Sequence, residues 1–111
     1  MIGWHLVYEF YGVDPELLDD EEKVMEILKK VCEETGMKII KGASHKFTPH
    51  GVTGFYILAE SHISIHTWPE EGSAAIDVYY CGKEEQVRRA GELLIKYFKP
   101  RKVKEKFLVR E

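Results

Sequence analysis

Between Leu58 and Gly82 the chain reads LAESHISIHTWPEEGSAAIDVYYCG, so a strand-like region carries a Glu-Ser pair, two histidines and a cysteine. Three chemistries use such residues. A metal site would draw on His62 and His66, but flanking Ile63, Ile65, Thr67 and Trp68 argue for a strand. Four residues of strand span roughly 13 Å, too far for two ligands of one ion. No H-E-x-x-H or C-x-x-C occurs, and the sequence predicts no metal. A hydrolase would pair Ser61 or Ser64 with a histidine, yet Ser61 lacks a Gly-x-Ser-x-Gly elbow and the sequence names no oxyanion hole. The third option lies in Glu60-Ser61 itself. A serine hydroxyl held against the preceding carbonyl carbon can attack it and turn the peptide into an ester. Elimination then frees the upstream chain and leaves dehydroalanine, which tautomerises and hydrolyses to a pyruvoyl group. Such a ketone can form a Schiff base with a substrate amine and act as an electron sink. The route needs a base near the serine Cα, a hydroxyl near the scissile carbonyl and an acid to protonate a carbanion. His66, Thr53 and Cys81 are residues of those types. Spacing alone does not single this option out, since a strand serine is usually structural and an isolated cysteine usually a small buried hydrophobe.

The elements that must position these residues follow from pattern. IGWHLVYEFYG is aromatic and β-branched and reads as a first strand. Asp14-Pro15 opens a helix with Asp19, Asp20, Glu21 and Glu22 toward its positive end. Val24, Ile27, Leu28 and Val31 make its apolar stripe and Gly36 its stop. MKIIKGASHKF, VTGFYILAE, SHISIHTW and SAAIDVYYC follow as strands, separated by Pro49-His50-Gly51 and by Pro69 to Gly72. Val87, Ala90, Gly91, Leu94 and Phe98 mark a second helix closed by Pro100, and KVKEKFLVRE alternates as a last strand. The expected fold is α+β, a two-layer sandwich of antiparallel sheet with two helices on one face, in the order β-α-β-β-β-β-α-β. The other sheet face then lacks a cover, which a second protomer supplies most simply, so a homodimer is expected.

Composition limits the rest. At 111 residues the chain is a single domain, 1–111, and a hydrophobic share of 44% is ordinary for a globular protein. A formal charge of −3 offers no general attraction to nucleic acid, and the terminal lysines and arginines, interrupted by Glu105 and Glu111, read as a solvated strand face. No apolar run reaches a membrane-spanning length, and MIGWHLVYEF lacks the layout of a signal peptide. A cytoplasmic location is therefore expected. Two cysteines, Cys32 and Cys81, suit a reducing compartment.

GVTGFYILAESHISIHTWPE followed by AAIDVYYCG closely resembles the prokaryotic S-adenosylmethionine decarboxylase family, pyruvoyl enzymes of polyamine synthesis. The likeness runs from GWHLVYEF through HKFTPHGVTG to the cysteine and second helix. It implies self-cleavage between Glu60 and Ser61 into chains 1–60 and 61–111, with Ser61 becoming the pyruvoyl cofactor. It also implies that His66 assists processing, that Cys81 donates the proton in catalysis, and that Thr53 supplies a processing hydroxyl where many relatives have serine. Adenine stacking and ribose binding in the family point to Phe47, Trp68 and Glu70. The resemblance implies decarboxylation of S-adenosylmethionine to the aminopropyl donor for spermidine. Another amino acid substrate such as arginine, or an unprocessed non-enzymatic homologue, is the alternative. One oddity follows from register. Ser61 and His66 lie an odd number of residues apart, so a regular strand points them to opposite faces, and a turn or bulge is expected near Ser61.

Overall fold

The computed structural model describes residues 2–111. They form β1 (Gly3–Tyr11), α1 (Pro15–Leu18), α2 (Glu21–Thr35), β2 (Ile39–Lys46), β3 (Val52–Leu58), β4 (Ser61–Trp68), β5 (Ser73–Tyr80), α3 (Glu84–Phe98) and β6 (Lys102–Arg110). A single 3-10 turn, Pro69–Glu71, joins β4 to β5. The six strands make one antiparallel sheet in the order β2-β3-β4-β5-β1-β6. The expected α+β class and strand succession are present.

The first helical segment differs from the single helix predicted between Asp14 and Gly36. Asp14 caps α1 by accepting the Glu16 N–H at 3.0 Å, and Asp20 caps a fresh helix by accepting the Lys23 N–H at 3.0 Å. Two capping aspartates six residues apart favour two starts over one continuous helix. The sandwich therefore carries three helices rather than two. Gly36 ends α2 in the left-handed conformation with φ 75°, as its lack of Cβ allows.

Val24, Leu28 and Val31 of α2 and Val87, Leu94 and Phe98 of α3 are buried with Leu6, Phe10, Ile63, Ile65, Ile76 and Val78 of the sheet in one core. Gly91 lets α3 approach β1 closely, since a Cβ there would stand 2.5 Å from the Tyr8 hydroxyl oxygen and 2.7 Å from Leu6 Cδ2. Strand alternation sends the remaining residues to the opposite face. Register sets them in rows. Thr53, His66, Ala75 and Glu9 form one; Phe55, Ser64, Asp77 and Val7 the next; Ile57, His62, Tyr79 and His5 the third. Among the described residues no helix covers this open face, and Phe55 and Ile57 are 39% and 43% exposed there.

Candidate active site

Ser61 stands at the tightest point of the central hairpin. β3 ends at Leu58, which pairs directly with Ser61, so Ala59 and Glu60 alone make the turn. Ser61 enters β4 with φ 117°, a conformation that strains a residue with a Cβ by about 1–3 kcal/mol. Both sides of the turn are held. Ala59 N–H donates to the Lys38 carbonyl at 2.9 Å, and the Glu60 carbonyl oxygen accepts the Cys81 N–H at 3.1 Å. Cys81 follows β5, and the next carbonyl, Gly82, is anchored to β1 by the Trp4 indole N–H at 3.0 Å. This places Cys81 Sγ 3.4 Å from Ser61 Oγ. A backbone donor on the Glu60 carbonyl polarises that bond and stabilises negative charge on its oxygen if the adjacent hydroxyl adds to the carbon.

Thr53 and His66 are cross-strand partners, and Thr53 Oγ1 lies 3.0 Å from His66 Nδ1. They open onto a cavity of about 390 Å³ lined also by Phe47, His50, Trp68 and Glu70. The structure thus gathers every substrate-contact candidate around Thr53 and His66. Phe47 and Trp68, 45% and 42% exposed, are surface aromatics rather than core. Glu70 sits in the 3-10 turn with Oε1 3.1 Å from His50 Nδ1.

The two groups are not together within the chain. Ser61 and His66 occupy opposite ends of β4, five residues or about 16 Å of strand apart. The turn expected near Ser61 is present, yet it does not bring the serine to the histidine. The chain carries Ser61 with Cys81 near one end of β4 and Thr53 with His66 near the other.

Other polar groups escaped the sequence reading. Asp19, at the break between α1 and α2, accepts the Gly51 N–H at 2.8 Å and the Lys46 ammonium at 3.0 Å, while Lys46 also donates to the Phe47 carbonyl at 2.8 Å. It clamps the loop that presents Phe47 and His50. The Gly51 hydrogen bond, then Lys46, holds the Asp19 carboxyl below the usual carboxylate range. A carboxyl lowered by folding contributes stability in its ionised form. That contribution is complete above the ordinary carboxylate range and lost as pH falls through the lowered value. Asp19→Asn should therefore melt below the parent at neutral pH, with the gap closing in thermal scans as pH falls below the ordinary carboxylate range. An unchanged gap would refute the clamp.

On the open face His5 Nε2 lies 3.2 Å from Asp77 Oδ1, and burial pushes the neighbouring His62 below the usual histidine range while Asp77 pulls it up. Cys32, by contrast, is buried in the core, where burial and then Glu33 push its thiol up to about 12, so only Cys81 is placed for chemistry. Among the described residues no three His, Cys, Asp or Glu are grouped to hold a metal ion. None of their helices is long and apolar enough to cross a membrane.

Comparison with known proteins places the chain in a family. A family model described as S-adenosylmethionine decarboxylase matches residues 4–111. The chain is 44% identical over 109 residues to an S-adenosylmethionine decarboxylase proenzyme of Persephonella marina, covering 98% of this chain and 82% of the relative. It is 41% identical over 100 residues to one of Archaeoglobus fulgidus, covering 90% and 89%. The crystal structure of the adenosylmethionine decarboxylase from Aquifex aeolicus superposes with a TM-score of 0.93 at 37% identity, covering 96% of this chain and 88% of that one. By sequence over nearly its whole length, and by fold, the chain belongs to the S-adenosylmethionine decarboxylase family.

Proposed function

We propose that this protein cleaves itself between Glu60 and Ser61 and then decarboxylates S-adenosylmethionine, yielding the aminopropyl donor for spermidine. The observation that carries this reading is the strained Ser61, with Cys81 Sγ 3.4 Å from its hydroxyl and the Cys81 N–H on the Glu60 carbonyl. Attack of Ser61 Oγ on the Glu60 carbon passes the acyl group from nitrogen to oxygen. Loss of the Ser61 α proton then expels Glu60 as a carboxylate, and water replaces the resulting imine nitrogen, released as ammonia. Relief of the φ 117° strain favours the opening of this turn.

The surroundings fit a pyruvoyl group at Ser61, because the strand end is half-buried, held by backbone hydrogen bonds and faced by a thiol. When formed, that group supplies an electron sink for loss of carbon dioxide. The Cys81 thiol is placed to return a proton to the substrate α carbon. Phe47 and Trp68 offer aromatic faces to adenine and a sulfonium cation, and Glu70 offers a carboxylate to the ribose hydroxyls.

The separation along β4 makes a second copy part of the chemistry. Two open faces stacked about a two-fold axis running across the strands bring Ser61 and Cys81 of one protomer opposite Thr53 and His66 of its partner. Such packing also covers Phe55 and Ile57. A homodimer with two composite sites is the arrangement that lets His66 reach the Ser61 of a neighbouring chain and remove the α proton.

Cys81→Ala separates the steps. The contact with the scissile carbonyl is through the backbone N–H, which alanine keeps, so intact mass spectrometry should find the chain still cut at Glu60-Ser61. Carbon dioxide release from carboxyl-labelled S-adenosylmethionine should fall about 100-fold or more, the scale of a lost general acid. A parent protein that cuts itself but releases no carbon dioxide from this substrate, while turning over arginine in a substrate panel, would overturn the substrate assignment.

A further inference from the structure

We propose that His50 is a positioning residue for the substrate, fixing the Glu70 carboxylate so that one oxygen stays free for the ribose diol. This rests on the reading of the Phe47, Trp68 and Glu70 cavity as the nucleoside pocket. His50 Nδ1 stands 3.1 Å from Glu70 Oε1, and both residues line that cavity. Both are carried on braced backbone. The His50 loop is closed by the Phe47 N–H to Gly51 carbonyl bond at 2.8 Å and tied to Asp19 at Gly51. The Glu70 turn is closed by the Gly72 N–H to Pro69 carbonyl bond at 3.1 Å over the buried Pro69.

An isolated glutamate on a surface turn samples many rotamers, each of which must be given up when it accepts two hydroxyl donors. A donor on Oε1 removes most of that freedom in advance. It leaves Oε2 and the second lone pair of Oε1 for the ligand. Side chains 39% and 44% exposed make this pair a minor contributor to folding stability. Its consequence falls on binding instead.

A double-mutant cycle tests this, using His50→Ala and His50→Asn in the parent and in the Glu70→Gln background. Two readouts are taken: calorimetric binding of 5′-methylthioadenosine, which carries the ribose diol, and carbon dioxide release from S-adenosylmethionine. His50→Ala should weaken nucleoside binding and raise KM about tenfold, as expected for one hydrogen bond to a charged group, with kcat and self-cleavage unchanged. His50→Asn, whose amide nitrogen takes the place of Nδ1, should restore most of the loss. In Glu70→Gln the alanine substitution should cost little more. Equal losses in both backgrounds, or none in either, would overturn the proposal, as would a parent protein that does not bind the nucleoside. A parent that binds it without releasing carbon dioxide sinks the decarboxylase reading alone, and the binding cycle still decides for or against His50.

Discussion

Ser61→Ala is expected to yield one uncut chain by intact mass and no carbon dioxide release above background from S-adenosylmethionine. The alanine removes the hydroxyl adjacent to the Glu60 carbonyl, while retaining the Cβ and hence the strained backbone at φ 117°. The hairpin survives, because Ala59 and Glu60 are held by backbone bonds to Lys38 and Cys81 that do not involve the serine side chain. A companion variant, Ser61→Gly, isolates the strain. It should also remain uncut, yet melt higher than Ser61→Ala, since glycine adopts positive φ at a saving of about 1 kcal/mol. Cleavage at this bond in Ser61→Ala would show that the serine is not the nucleophile. No pyruvoyl group could then arise there.

A second large effect concerns two inactive proteins made together. His66→Ala alone should remain essentially uncut, because the α proton of Ser61 loses its acceptor, and Ser61→Ala alone is inert. Co-expressed with distinguishable tags, the two should form mixed dimers in which one composite site contains only intact halves. With random pairing that is about a quarter of all sites, so about half of the His66→Ala chains should be cut. Only those chains should fragment, because the Ser61→Ala chains have no serine to open. Mixed dimers isolated by both tags and found entirely uncut would mean that each site is built within one chain.

That second experiment grows from a feature half visible in the sequence. Alternation in SHISIHTW places His62, Ser64 and His66 on one face, and the structure keeps them there. The same alternation makes the odd spacing of Ser61 and His66 awkward. A local bulge would have been the cheapest resolution, yet the turn leaves the two toward opposite ends of β4, which is why the proposed site needs two copies. The helix break at Asp19-Asp20 was legible only as a run of acidic residues, because two overlapping N-terminal signals look like one. Asp19 and His50 were not legible as part of the site. Their partners are Gly51, thirty-two positions on, and Glu70, brought near only when β3 and β4 pair. A side chain whose role is to hold another carries no spacing of its own.

The strand order has a further consequence. A cut after Glu60 divides the sheet between an early piece holding β1, β2 and β3 and a late piece holding β4, β5 and β6. Across the sheet these alternate as early, early, late, late, early, late. Three seams therefore join the pieces, and β1 lies between two late strands. Cleavage cannot let the fragments drift apart without dismantling the sheet, so they remain interlocked while the fold lasts. Once unfolded, the same material must regain its shape by bimolecular encounter, at a rate that falls with dilution. An uncut chain would thus fold at a rate independent of its own concentration, whereas a chain cut there could not.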